Sequence, residues 1–284
     1  MRGARTSLVC AAGCLGVALS AFGASAAFAA PVVDENFKPF VNCPIENKAV
    51  QNCIVATTTS GEFKMGSKTI SIEQPVVLQG AFSNAGGTQE LVGPSNGAPI
   101  MVAPPMKVPG GLTGIEGIGP EVTATTELVG PVFINEGHQS SGVGAAVILP
   151  LRAKLDDHLL LGSECFVGSA GDPILLQLTT GKTSPPPPNT PITGNPGKGG
   201  IVDNIVSLTG VSLVDNSFGA PGASGCGPLP LLVDPLVDIV AGLPSPSGTN
   251  TAILNGSVLL TGTKAVKKSH VIKKPKKGKA AKTR

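Results

Sequence analysis

Tryptophan and tyrosine are absent from these 284 residues, and nine phenylalanines supply all of the aromatic side chains. Surfaces that hold sugars or single-stranded nucleic acids commonly use aromatic faces as stacking platforms. A lectin or a specific nucleic-acid reader is therefore disfavoured, and the scattered phenylalanines suit core packing. Beyond the N-terminal region, no apolar run reaches the roughly eighteen to twenty residues that a membrane-spanning helix needs. Helical periodicity is nearly absent too. Acids stop at Asp238: the last eighteen residues, KKSHVIKKPKKGKAAKTR, contain none.

That last absence divides the chain electrostatically. All eighteen acids lie between Asp34 and Asp238, whereas ten of the twenty-one bases lie between Lys264 and Arg284. With Arg2 and Arg5 at the start set aside, the body holds nine bases against eighteen acids, a net of −9 beside a tail of +10. Blocks of like charge repel themselves, stay solvated and commonly act as interaction tails. Residues 264–284 are thus expected to form a disordered basic tail, whose removal after Gly262 would leave the fold intact. Its cations are Lys264, Lys267, Lys268, Lys273, Lys274, Lys276, Lys277, Lys279, Lys282 and Arg284. Together they suit an anionic cell-wall polymer or lipid headgroups, bound through counterion release without sequence specificity. The bland alternative is a solubilising tail, or one that contacts its own acidic body at high effective concentration.

The first thirty residues have the three parts of a secretory signal. Arg2 and Arg5 form a basic start, residues 7–22 an apolar stretch, and small residues follow, with cleavage expected near Ala27 or Ala30. The separated arginines favour the general secretory route over the twin-arginine one. A lipoprotein reading would place the lipid on Cys14 and cut the apolar stretch in its middle. LPSPSG at 243–248 loosely matches a wall-sorting signal, but Pro246 replaces its threonine, and Asn255, Gly256 and Ser257 interrupt the segment that follows.

Once Cys10 and Cys14 leave with the signal, Cys43, Cys53, Cys165 and Cys226 remain. Four cysteines in an exported chain read as two disulfides with three possible connectivities. Cys43–Cys53 with Cys165–Cys226 is favoured, because CPIENKAVQNC closes a small local loop. Zinc is disfavoured: the spacing lacks paired ligand knuckles and no histidine lies nearby.

A body of about 235 residues can bury a core as one domain, expected over 30–263 after a signal at 1–29. EVTATTEL (121–128) alternates as a half-buried strand should, with Val122, Ala124, Thr126 and Leu128 on one face. In FKMGSKTISI the apolar face switches near Gly66, which suggests a bulge. VGAAVILPL, PILLQLTT, IVSLTGVSLV and AILNGSVLLTG are further short runs punctuated by Gly, Pro, Asn and Asp. The expected class is all-β, an antiparallel sandwich or barrel with long Pro/Gly-rich loops and one short helix. That helix would be capped by Asp234 with Pro235 in its first turn. SPPPPNTPITGNPGKGG (184–200) reads as a long surface loop. ELVGP occurs at Glu90 and Glu127, as two similar strand ends or a duplicated unit, and VDN recurs at Val202 and Val214, which suits the two ends of a hairpin.

Chemical motifs fail on context. GPSNG (93–97) matches a nucleophile elbow in letters, but proline precedes Ser95 and no helix can follow. GKT (181–183) lacks the earlier glycine of a phosphate loop and runs into prolines. Glu136 and His138 could form an acid–base pair, but nothing converges on them. Asp156, Asp157, Glu164 and Asp172 lack the spacing of a calcium loop. No catalytic residue, metal or cofactor is assigned.

CPIENKAVQNCIVATTTSGEFKMGSKTISI, LGSECFVGSAGDPILLQLTTGKTSPPPPNTPITG, SLVDNSFGAPGASGCG and GLPSPSGTNTAILNG resemble segments of a group of exported, uncharacterised proteins of actinobacteria. The resemblance covers most of the mature chain and implies a secreted Gram-positive product. It carries over no functional residues. The expectation is a non-enzymatic protein of the cell envelope or medium, its β body retained by the tail. The alternative is a secreted carrier of an apolar small molecule inside the β body, which a cavity of several hundred Å3 would support.

Overall fold

The structure, a computed structural model, describes residues 34–157 and 159–272. A 3-10 helix, Glu35–Phe40, comes first, and its Asn36 N–H donates to the side chain of Asp34. Six strands follow: β1 (Asn52–Met65), β2 (Lys68–Ser71), β3 (Val76–Phe82), β4 (Gln89–Glu90), β5 (Met101–Val102) and β6 (Met106–Val108). Next come β7 (Val122–Leu128), β8 (Phe133–Ile134), α1 (Glu136–Ser141), β9 (Val147–Asp156), β10 (Phe166–Val167) and β11 (Ile174–Leu178). The chain continues through β12 (Lys198–Val202), β13 (Ile205–Asp215), β14 (Ala223–Ser224), α2 (Pro230–Ala241), β15 (Thr251–Gly262) and α3 (Thr263–Ser269).

These strands form two antiparallel sheets stacked as a sandwich. The first runs β12-β13-β15-β1-β3-β5, with β2 also paired to β1. The second runs β14-β10-β9-β7-β6, with β8 and β11 on β9 and β4 on β8. In the second sheet the alternation seen in the sequence holds. Ile174, Leu176 and Leu178 of β11 are buried beside Leu149, Leu151, Ala153 and Leu155 of β9. The opposite face is polar, where Arg152 pairs with Glu127 and lies 3.9 Å from the centre of the Phe166 ring.

The first sheet is covered on both sides. Cys53 and Val55 of β1 pack outward against Phe37, Phe40, Ile45, Val50 and Val266, a second core made by the N-terminal segment and α3. Ile54 points the other way, toward the second sheet. Successive residues of a strand face opposite sides, so both sets must be apolar where both faces are buried. Cys43–Cys53 ties the N-terminal layer to β1, and Cys165–Cys226 joins the start of β10 to the segment before α2. By loop-closure entropy these contribute about 3 and about 4 kcal/mol.

Several expectations change in detail. Gly66 is no bulge: Met65 pairs with Lys68, so Gly66–Ser67 is the turn of the β1–β2 hairpin. The helix expected at Asp234 begins at Pro230, and α1, α3 and the 3-10 helix add further helical turns. Asp234 does not cap α2; its carboxylate accepts the Gly225 and Cys226 N–H groups, while Asp238 accepts that of Ala223. Both acids of α2 thus turn inward, and Leu231, Leu232, Leu236 and Ile239 face out. Each ELVGP ends a strand, β4 or β7. The first VDN is the β12–β13 turn itself, with Asp203 and Asn204 at positive φ, and the second lies at the far end of β13. The Pro-rich segment is pinned and ends inside β12: Asn189 Nδ2 donates to Asn216 O and Asn250 O.

The tail begins later than expected. Lys264, Lys267 and Lys268 belong to α3, an ordered helix whose Val266 is fully buried, and Asp34 N–H donates to Ser269 O at 3.2 Å. The cause is hydrophobic: Ala265, Val266, Val271 and Ile272 all join the second core. Lys273 to Arg284 and the signal expected at 1–29 lie outside the described residues. Truncation after Ile272 should therefore leave the thermal midpoint unchanged. Truncation after Gly262 should cost about 2 kcal/mol or more, lowering the midpoint by roughly 4–8 °C. Equal melting of the two truncations would contradict the role given to Val266.

Candidate functional site

Between the sheets lies a cavity of about 630 Å3. Its walls follow from strand register. On the first sheet one rung crosses five strands: Leu208 pairs with Val258, Val258 with Ala56, Ala56 with Leu78, and Leu78 with Met101. All five line the cavity, as do Ile54 and Leu260 from the neighbouring rung and Leu213 and Leu254 further along. Across the gap the second sheet presents Ile134, Val147 and Leu178, themselves paired side by side.

The space stays open for two reasons. Ala56 is a small residue at the centre of the five-strand rung. In addition, β15 carries Gly256 at the register shift it shares with β1, between Thr58 and Ser60, and at the one it shares with β13, between Thr209 and Val211. A β-bulge bends a strand and raises its local twist. Here the backbone of β1 approaches so closely that a Cβ on Gly256 would lie 1.9 Å from Thr57 O. Two bulges at one glycine bend the sheet next to the cavity, and the small residues on its inner face do not fill what remains. A separate void of about 80 Å3 lies under α2, beside Phe63, Met65, Val237 and Ala241, within the packed core.

Polar groups line the cavity almost entirely from one element. Asn135, Glu136, Gln139 and Ser140 come from α1 and its cap. The helix is short but well held. Asn135 Oδ1 accepts the His138 N–H, Thr180 Oγ1 donates to Gln139 O, and Gly142 closes the helix at φ 70°. Gln139 Nε2 reaches Pro196 O at 3.4 Å, linking α1 to the Pro196–Gly197 rim. Glu136 is the one charged residue in the lining. Desolvation by the surrounding protein raises its carboxyl above the ordinary value. Asp215, buried behind β11, is raised in the same way, against hydrogen bonds from the Gln177 and Ser217 N–H groups.

The residues singled out from sequence lie elsewhere. Cys43, Cys53, Cys165 and Cys226 are buried in disulfides and outside the lining. Lys264, Lys267 and Lys268 are exposed on α3, and none pairs with a carboxylate among the described residues. Ser95 sits in an exposed turn with no helix after it, and Gly181 packs on the backbone of Gly142. His138 turns its Nδ1 to Ala145 O, away from an acid–base pairing with Glu136. Asp157 Oδ1 accepts the N–H groups of Leu159, Leu160 and Leu161, which explains it as a turn cap. Among the described residues no group of three or more His, Cys, Asp or Glu can hold a metal ion, and no helix is long and apolar enough to cross a membrane.

No protein-family model, curated protein or solved structure matches the chain. Its two intramolecular disulfides suggest an oxidising, extracellular environment.

Glu136 also sets a pH signature. With its folded-state pKa raised, the folded protein holds this proton where the unfolded chain has released it. The contribution to stability is therefore greatest below the ordinary value of 4.5 and is lost as pH rises through the raised one. Because Asp215 adds a slope of the same sign, the measure is the difference between Glu136→Gln and wild type in urea unfolding, from about pH 4 to pH 7. The variant should gain stability relative to wild type as pH rises, and a pH-independent difference would contradict the assignment.

Proposed function

We propose that the protein is a secreted, non-enzymatic carrier that holds an apolar small molecule between its two sheets. One observation supports this above all: an inter-sheet cavity of about 630 Å3 with apolar walls and polar groups confined to one end. Ligand sites typically occupy about 300–1,000 Å3, are mostly apolar and carry a few placed polar groups. The space is partly open to solvent, so a ligand has a way in. The clustered nucleophile, base and acid that hydrolysis needs are not found at the cavity.

A second reading concerns retention. Lys264, Lys267 and Lys268 stand exposed on α3, without carboxylate partners among the described residues, a few positions before Lys273 in the sequence. They form a fixed cationic base for the lysines that follow, and the whole suits an anionic polymer or lipid surface of the cell envelope.

Each reading has its own test. The uncharged fluorophore N-phenyl-1-naphthylamine should bind saturably with enhanced emission, and Ala56→Phe, placed at the centre of the rung, should weaken it about tenfold or more by filling the space. Absence of saturable binding to wild type, or undiminished binding to Ala56→Phe, would refute the carrier. For retention, the protein ending at Ile272 should co-sediment with vesicles rich in anionic lipid far less than the full chain, and the difference should fade as salt rises. Equal sedimentation at all salt concentrations would refute it.

A further inference from the structure

We infer that the ligand is an amphiphile with a non-anionic, hydrogen-bond-donating head, and that Glu136 selects it. This rests on the carrier reading and goes on to the chemistry of the cavity's polar end. The lining contains one carboxylate and neither lysine nor arginine. A ligand carboxylate or phosphate would thus bring a second negative charge into a space walled by hydrocarbon, with no cation to meet it. Glu136 is solvent-exposed where it meets that space, so water moderates the repulsion, but no cation offsets it.

The hydrogen-bonding capacity of the other groups points the same way. Both polar atoms of Asn135 have partners: Oδ1 accepts from the His138 N–H and Nδ2 donates to Thr88 Oγ1. Gln139 uses one of its two amide hydrogens on Pro196 O, which leaves one donor beside its carbonyl oxygen. The Ser140 hydroxyl donates back to the Glu136 and Gly137 carbonyls, so its lone pairs remain. An ionised carboxylate only accepts. The side chains of α1 facing the cavity therefore offer more acceptors than donors, the Glu136 carboxylate first among them. The free donors are the second Gln139 amide hydrogen and the Thr58 hydroxyl on β1, both uncharged. A hydroxyl or ammonium group at the end of an apolar chain would satisfy Glu136 while the chain fills the space between the two rungs. A fatty acid of the same length would not.

The test is displacement of bound N-phenyl-1-naphthylamine from the full chain at neutral pH by 1-dodecanol, dodecylamine and dodecanoate, which share one chain and differ in the head. The alcohol and the amine should displace the probe at concentrations about tenfold or more below the carboxylate, the scale of a hydrogen bond to a charged group. Glu136 is exposed, so its substitutions should preserve the fold, as a thermal midpoint checks. Glu136→Gln should bring the three ligands to within about threefold of one another, and Glu136→Lys should reverse the order in favour of dodecanoate. Equal potency of alcohol and carboxylate on wild type, or an order unmoved by either substitution, would overturn the inference while leaving the carrier reading intact. Failure of the probe to bind at all would overturn both.

Discussion

The first part of β1 and the end of β15 paired with it meet apolar material on both faces, and much of the architecture follows from that constraint. A strand that meets apolar material on one side only can leave polar residues on the other. β1 cannot: Cys53 and Val55 need the N-terminal helix and α3 above them, and Ile54 needs the second sheet below. The molecule is therefore built in three layers, with a sheet in the middle. The Cys43–Cys53 bond links the upper layer to the strand it covers. The same requirement explains why the start of the basic segment is ordered. Val266 is drawn into the upper core, and its neighbouring lysines are carried to the surface on the same helix turns.

The cavity is the lower counterpart of that arrangement. Sheets usually pack about 10 Å apart, with side chains interdigitating. Here the centre of the five-strand rung carries a small residue, Ala56, while larger ones surround it. The bulges on either side of Gly256 add a bend to the same sheet nearby. Most of the polar side chains in the lining come from α1 and its cap. The helix is held by its own cap and by Thr180, so the positions of its side chains are fixed by the fold.

Much of this was legible in the sequence, and the residues show why the rest was not. Alternation in EVTATTEL marked β7 directly, because it has one face more buried than the other, and PILLQLTT stood out as a short β-like run. The local spacing of Cys43 and Cys53 favoured their pairing. By contrast, NCIVATTT and AILNGSVLL have apolar residues on both faces, and a run of that kind does not reveal whether a face meets packed side chains or open space. Gly256 reads as turn punctuation until its two register shifts are known. The hairpin turn at Gly66 leaves the mark a bulge would, a glycine where the apolar face changes side. Glu136 stood out only as a neighbour of His138. Its significance comes from the apolar strands that surround it, and they are distant in the chain. The basic block was plain to see, but charge counting alone could not show that Val266, Val271 and Ile272 pull its beginning into the core.

The hydrogen bond from Asp34 to Ser269 places the two ends of the described body side by side. A body whose ends meet has, in effect, a nearly closed backbone. A short linker could join them and new ends could be cut at the Asp203–Asn204 turn without removing a strand from either sheet. The order in which the strands are synthesised is thus separable from the order in which they pack, and any partner engaged through one terminus is brought next to the other.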